Sequence, residues 1–134
     1  MEALVRLLLV ALSFMAAASG LAAETKVFDQ ATFEALQAAD RPILIDVYAD
    51  WCPTCKQQEP IVSELMQSTE FKDFTVLKVN YDTQKGIRRI FRVTQQSTFI
   101  VYRGKNEVAR SIGDTAKDSI ARTLRNAFAG IPAG

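Results

Sequence analysis

Apolar positions along this chain come in two rhythms. From Glu24 onward, short extended apolar runs alternate with segments whose apolar residues recur every three or four positions, and no repeat, low-complexity tract or linker interrupts them. That alternation predicts one α/β unit rather than two domains. Lys26 to Phe28 reads as a short strand, and Asp29 as the cap of a helix over about 30–39, with Phe33, Leu36 and Ala39 at helical spacing. Pro42 introduces Ile43-Leu44-Ile45-Asp46-Val47-Tyr48, an apolar run holding one carboxylate, which fits a central strand buried on both faces. A helix then runs through Ile61, Leu65 and Met66, and Pro60 is expected to kink it. Phe74 to Asn80 reads as a strand and Gln84 to Phe91 as a short helix. Phe99 to Tyr102 reads as a strand that returns through the turn Arg103-Gly104-Lys105-Asn106 to a partner at Val108 to Ile112. A last amphipathic helix from about Thr115 to Phe128 puts Ile120, Leu124, Ala127 and Phe128 on one side.

The first 23 residues break this pattern. Arg6 leads into the apolar run from Leu7 to Ala18, and small residues follow through Ala23, the order of a secretory signal peptide. Cleavage is expected near Ala22 or Ala23, with Ala16-Ala17-Ala18 as a second place where small residues have the required spacing. The run is short for a bilayer span and ends in Ser, Gly and Ala rather than a basic stop, which argues against a membrane anchor. No cysteine follows it to carry a lipid. The expectation is a signal peptide over 1–23, a domain over 24–134, and a periplasmic or secreted protein in an oxidising compartment. The 134 residues, 49% of them hydrophobic, suit one globular core. A net charge of +1 with scattered basic residues points away from nucleic acid as a partner.

The chemistry concentrates in Trp51-Cys52-Pro53-Thr54-Cys55-Lys56, which holds the only two cysteines of the chain. Where a helix starts just after Trp51, Cys52 falls at its exposed first turn. Free backbone N–H groups and the positive end of the helix dipole there favour the thiolate, the form that attacks disulfides. Pro53 suits that first turn because its missing N–H would have no helical partner anyway. Cys52 is the expected nucleophile, and Cys55, a turn further in, is expected to resolve the mixed disulfide. A purely structural bridge is disfavoured, because closing so short a loop restricts the unfolded chain very little. Asp46, a carboxylate inside an apolar strand, is costly to ionise and should titrate high, which suits proton exchange with Cys55. An aspartate turned to solvent at the strand end is the alternative. Trp51 is expected to pack as a lid over the active-site loop, with a substrate-stacking platform as the other reading. Lys56 reads first as a solvated helix residue.

With Asp46, Trp51, Cys52, Cys55, Lys56, Pro60, Lys78, Asp82 and Gly113 so spaced, the chain resembles the thioredoxin family over essentially all of its length after the leader. The resemblance implies a thioredoxin fold of the α/β class, a central mixed sheet with helices on both faces and the cysteines at the tip of the second helix. It implies a functional Asp46 with Lys78 as its charge partner, a thiol-disulfide oxidoreductase without an organic cofactor, and protein disulfides or dithiols as substrates. One position departs from the family. The loop facing the disulfide normally carries a cis-proline, and here that position is Ser97 in Gln95-Gln96-Ser97-Thr98, with no proline between Pro60 and Pro132 to replace it. A cis bond before a residue other than proline costs about 2.5 to 4 kcal/mol, so the loop is either strained or trans; retention of cis by the surrounding fold is the expectation. Gln96 is expected to offer backbone groups to an extended substrate strand. Ser97 leaves room beside the sulfurs for a hydroxyl bond to Cys52 or for a metal.

Pro-Thr between the cysteines resembles the thioredoxin-like reductants of cytochrome c maturation, so a reductant supplied by a membrane electron donor is the leading direction. An oxidase or isomerase is the alternative. A metal or iron–sulfur protein is a further class, but two thiolates and no histidine would require two chains facing each other through their Cys-x-x-Cys loops to close a four-ligand site. The leading reading is a monomer with no metal.

Overall fold

The computed structural model describes residues 23–130. Strands β1 (Glu24–Val27), β2 (Pro42–Tyr48), β3 (Thr75–Asn80), β4 (Thr98–Arg103) and β5 (Asn106–Ile112) form one sheet in the order β1-β3-β2-β4-β5. The first three run parallel and the last two join antiparallel, so the sheet is mixed. Helices α1 (Gln30–Ala38), α2 (Pro53–Gln67), α3 (Lys85–Ile90) and α4 (Lys117–Arg125) connect them, with 3-10 turns at Thr69–Phe71 and Asn126–Phe128. No helix among the described residues is long and apolar enough to cross a membrane. The expected leader over 1–23 lies outside the described residues except for Ala23.

Strand alternation decides which residues reach the cysteine helix. Side chains along β2 point to opposite faces in turn. Ile43, Ile45 and Val47 pack with Phe28, Phe33, Leu77, Val79, Phe91 and Ile100 in a core on the side of α1 and α3. Leu44 packs with Val62, Leu65, Met66, Phe99, Ile120 and Leu124 in a second core, on the side of α2 and α4. Asp46, two residues after Leu44, therefore faces the cysteine helix from beneath. β3 obeys the same rule: Val76 belongs to the α2 side, which puts Lys78 on that face too, and Lys78 is the register partner of Asp46.

Most boundaries fall where the sequence puts them, and the exceptions have local causes. α2 continues past Pro60 as one helix, and the absent N–H there leaves the Lys56 carbonyl without its usual helical donor. The last helix begins later than Thr115, because Asp114 Oδ1 accepts the Ala116 N–H at 3.0 Å and holds that stretch in a turn. It also ends earlier, at Arg125, and tightens into the 3-10 turn that keeps Ala127 buried. The β4–β5 turn is shorter than expected, since Arg103 and Asn106 still pair across the ladder. Gly104 in that turn has φ +54°, donates its N–H to the Arg41 carbonyl at 3.0 Å, and would bring an added Cβ to 2.7 Å from Asp40 Oδ1. Gly104→Ala should therefore lower the unfolding free energy by about 1 to 2 kcal/mol in urea titrations. A variant as stable as the parent would contradict this turn.

Candidate active site

Cys52 is the N-cap of α2, with an extended backbone at φ −81° and ψ 112°. Its Sγ accepts the Cys55 N–H at 3.1 Å, its own N–H donates to the Ala49 carbonyl at 3.2 Å, and Pro53 opens the helix. A sulfur thus takes the place usually filled by a capping oxygen, at the helix end where negative charge is favoured. Cys52 and Cys55 stand at disulfide distance with their Cα atoms 5.3 Å apart. The expectation that Cys52 is the more exposed cysteine is corrected in this bridged form, in which Cys52 is 1% and Cys55 8% exposed. The reason is the cap itself, which turns the first sulfur back onto the helix, while Ala49, Tyr48 and Tyr81 pack around the pair.

Asp46 is 8% exposed. Burial pushes its carboxyl up from the ordinary 3.8 to about 6; Lys78 opposes the rise and Glu59 adds to it. The solvent-facing alternative for Asp46 does not hold. Lys78 lies beside it by register, but the two make no direct ion pair, and the Lys78 ammonium sits 4.4 Å from the centroid of the Tyr48 ring. A cavity of about 240 Å³ is lined by Asp46, Cys55, Lys56, Glu59 and Lys78 among others, so the raised carboxyl and the inner cysteine open onto one space. A neighbouring cavity of about 320 Å³ shares Asp46, Glu59 and Lys78 and extends along α2 to Met66.

Trp51, expected to pack as a lid over the active-site loop, lies at the surface. It is 57% exposed, and its Nε1–H donates to Asp82 Oδ2 at 2.8 Å, which fixes the indole at the surface with much of its ring open. Lys56 is exposed, as a solvated helix residue should be. Gln96 is half-buried beside the buried Ser97. The expectation of a cis bond before Ser97 is corrected: no described peptide bond is cis, and Ser97 instead takes φ +59°. Without a proline ring, trans carries no penalty, and a left-handed serine costs about 1 to 2 kcal/mol, less than a cis bond would.

Gln58 was not singled out in the sequence, because a glutamine on a helix normally faces water. Here it is 2% exposed, and its Nε2 donates to the carbonyls of Ser97 at 3.3 Å and Asp114 at 3.0 Å. The only available signal was its place three residues after Cys55, on the buried side of α2. Among the described residues, no group of three or more His, Cys, Asp or Glu side chains is placed to hold a metal ion.

A dithiol pair capping a helix at the end of a central parallel strand, over a buried carboxyl, defines a class of redox protein, and comparison with known proteins names the family. The family model described as Thioredoxin matches residues 24–126. The chain belongs to the thioredoxin family of thiol-disulfide oxidoreductases. It is 30% identical over 102 residues to the thioredoxin of Mycobacterium bovis, covering 76% of this chain and 87% of that one. It is 31% identical over 99 residues to the bifunctional thioredoxin reductase/thioredoxin of Mycobacterium leprae, 74% of this chain but 21% of that protein, and it spans 57% of thioredoxin H2-1 of Oryza sativa. Among solved structures, Trxlp from Edwardsiella tarda is 46% identical, with a TM-score of 0.74 over 75% of this chain and 98% of that one. A mutant thioredoxin from Halobacterium salinarum shares the fold at 24% identity, with a TM-score of 0.69 over 81% and 95% of the two chains.

The raised carboxyl sets a pH dependence of stability. An acid whose titration point is higher folded than unfolded favours the folded state when protonated; that benefit is complete below the ordinary 3.8 and is lost as pH rises through about 6. Asp46→Asn should therefore stabilise the protein at pH 8 by about 3 kcal/mol and have almost no effect at pH 3.5, as measured by urea unfolding. A variant that is destabilised at pH 8 would contradict the burial of a charged Asp46.

Proposed function

We propose that this chain is an exported reductant of protein disulfides, working through a mixed-disulfide relay between Cys52 and Cys55. The observation that carries the relay is the cap: the Cys52 sulfur stands at the helix terminus with the Cys55 N–H directed at it at 3.1 Å. In the reduced protein, the Cys52 thiolate attacks one sulfur of a substrate disulfide. The substrate S–S bond breaks, the first substrate sulfur leaves as a thiolate and takes up a proton from water, and a Cys52–substrate disulfide forms. Cys55 then gives its proton to the Asp46 carboxylate across their shared cavity and attacks the Cys52 sulfur. The mixed disulfide breaks, the second substrate thiolate leaves, and two electrons have passed to the substrate as the Cys52–Cys55 bridge forms.

With a titration point of about 6, Asp46 is mostly ionised at neutral pH and still basic enough to accept that proton. Trp51, next to Cys52 in the chain, and the Gln96–Ser97 loop, which precedes the Thr98 partner of Val47, supply the substrate face. The Pro-Thr dipeptide supports the reducing direction, and the leader-like residues 1–23 support export to a periplasmic or secreted site. A monomer recharged by a membrane thiol donor completes this reading.

Replacing Cys55 by Ser removes the resolving thiol. Cys55→Ser should accumulate partners bound to Cys52 through disulfides, visible on non-reducing gels of cell extracts and released by dithiothreitol. An extract in which no such species forms would contradict the relay.

A further inference from the structure

Gln58 is a buried polar side chain without an evident place in the relay. Its amide nitrogen bonds the carbonyls of Ser97, just before β4, and Asp114, just after β5. Both partners are acceptors, so chemistry fixes which end of the amide faces them. The Ser97 carbonyl also accepts the Gly113 N–H at 2.9 Å, and Thr98 Oγ1 donates to the Gln95 carbonyl at 2.7 Å. The loop from Gln95 to Ser97 is thus tied at both ends, with its last residue held at φ +59°. Gln58 Oε1, by contrast, is buried with no hydrogen-bond partner. An unmet buried acceptor is costly, and an apolar side chain of the same length would avoid that cost. What the amide contributes in return is its pair of N–H bonds, one to Asp114 after β5 and one to the loop before Thr98, which pairs with Val47 at the end of β2 that leads to Cys52.

We propose that Gln58 is a positioning residue that locks the Gln95–Ser97 loop in its trans, left-handed form and so shapes the edge on which an extended protein substrate docks beside Cys52. This deepens the proposed function and rests on it. In this chain the substrate edge is set by an amide reaching up from the cysteine helix, in place of a proline ring within the loop. Pinning the Ser97 carbonyl inward also fixes the loop residue next to Gln96, whose backbone would pair with the incoming strand. A small disulfide needs no such edge, because it meets the Cys52 sulfur alone.

The test is Gln58→Met in the full chain, which keeps side-chain length and removes both donors and the unmet acceptor. Insulin serves as the protein disulfide and 5,5′-dithiobis(2-nitrobenzoate) as the small one. The variant should raise KM for insulin about tenfold with kcat little changed, and leave the rate with the small disulfide within about twofold. Amide exchange supplies a second readout: the Gly113 N–H, bonded to the Ser97 carbonyl, should exchange about tenfold faster, while the Ile45 amide in β2 keeps its protection. Equal losses on both disulfides, or an unchanged KM for insulin with unchanged Gly113 exchange, would overturn the latch. A parent protein that reduces neither disulfide would instead overturn the function on which the substrate role depends.

Discussion

The start of α2 is the constraint on which the rest depends. A helix leaves its first N–H groups without intrahelical acceptors, and here one of those needs is met by a sulfur rather than by a serine or aspartate oxygen. That substitution does two things at once. It stops the helix at Cys52, so that Pro53 can open it without losing a bond, and it places a polarisable, ionisable atom where the backbone offers positive potential. Cys55 follows because one turn of helix brings position i+3 back beside position i. The reactive pair is therefore a consequence of helix geometry and of the choice of capping residue.

The sheet supplies the second half of the site through its alternation. β2 is buried along nearly its whole length, and the carboxyl it carries at Asp46 opens onto the cavity that Cys55 also lines. Asp46 is thus costly for the fold and useful to the chemistry, a conflict that local rules expect at functional sites. Lys78 moderates the cost through its place in the register rather than through a contact, since its ammonium is held over Tyr48. Across α2, Gln58 combines a satisfied amide nitrogen with an orphaned oxygen, kept where the loop before β4 needs support.

Much of this was legible in the sequence because strong periodic signals and tertiary packing agree. The apolar run from Ile43 to Tyr48, with Asp46 inside it, fits a doubly covered strand and forms one, and Asp29 caps its helix as such residues do, accepting the N–H groups of Ala31 and Thr32. The pairing of Asp46 with Lys78 was legible from the family resemblance, and the register gives its geometry. What escaped depends on three-dimensional company. Whether Cys52 is open or covered depends on Tyr48 and Tyr81, which approach from two different strand ends. The loop before β4 is hydrogen-bonded by a side chain 39 positions earlier, for which a polar letter in a helix gives no warning. The fate of Trp51 was decided by Asp82, 31 residues away.

The most direct measurement is the rate at which iodoacetamide alkylates Cys52 in the reduced protein at pH 7, with free cysteine alongside. A sulfur held at the helix terminus should react about tenfold faster than free cysteine, because far more of it is thiolate, and Cys55 should lag behind it. A Cys52 that reacts no faster than free cysteine would contradict the claim that its place at the head of α2 makes it the attacking group.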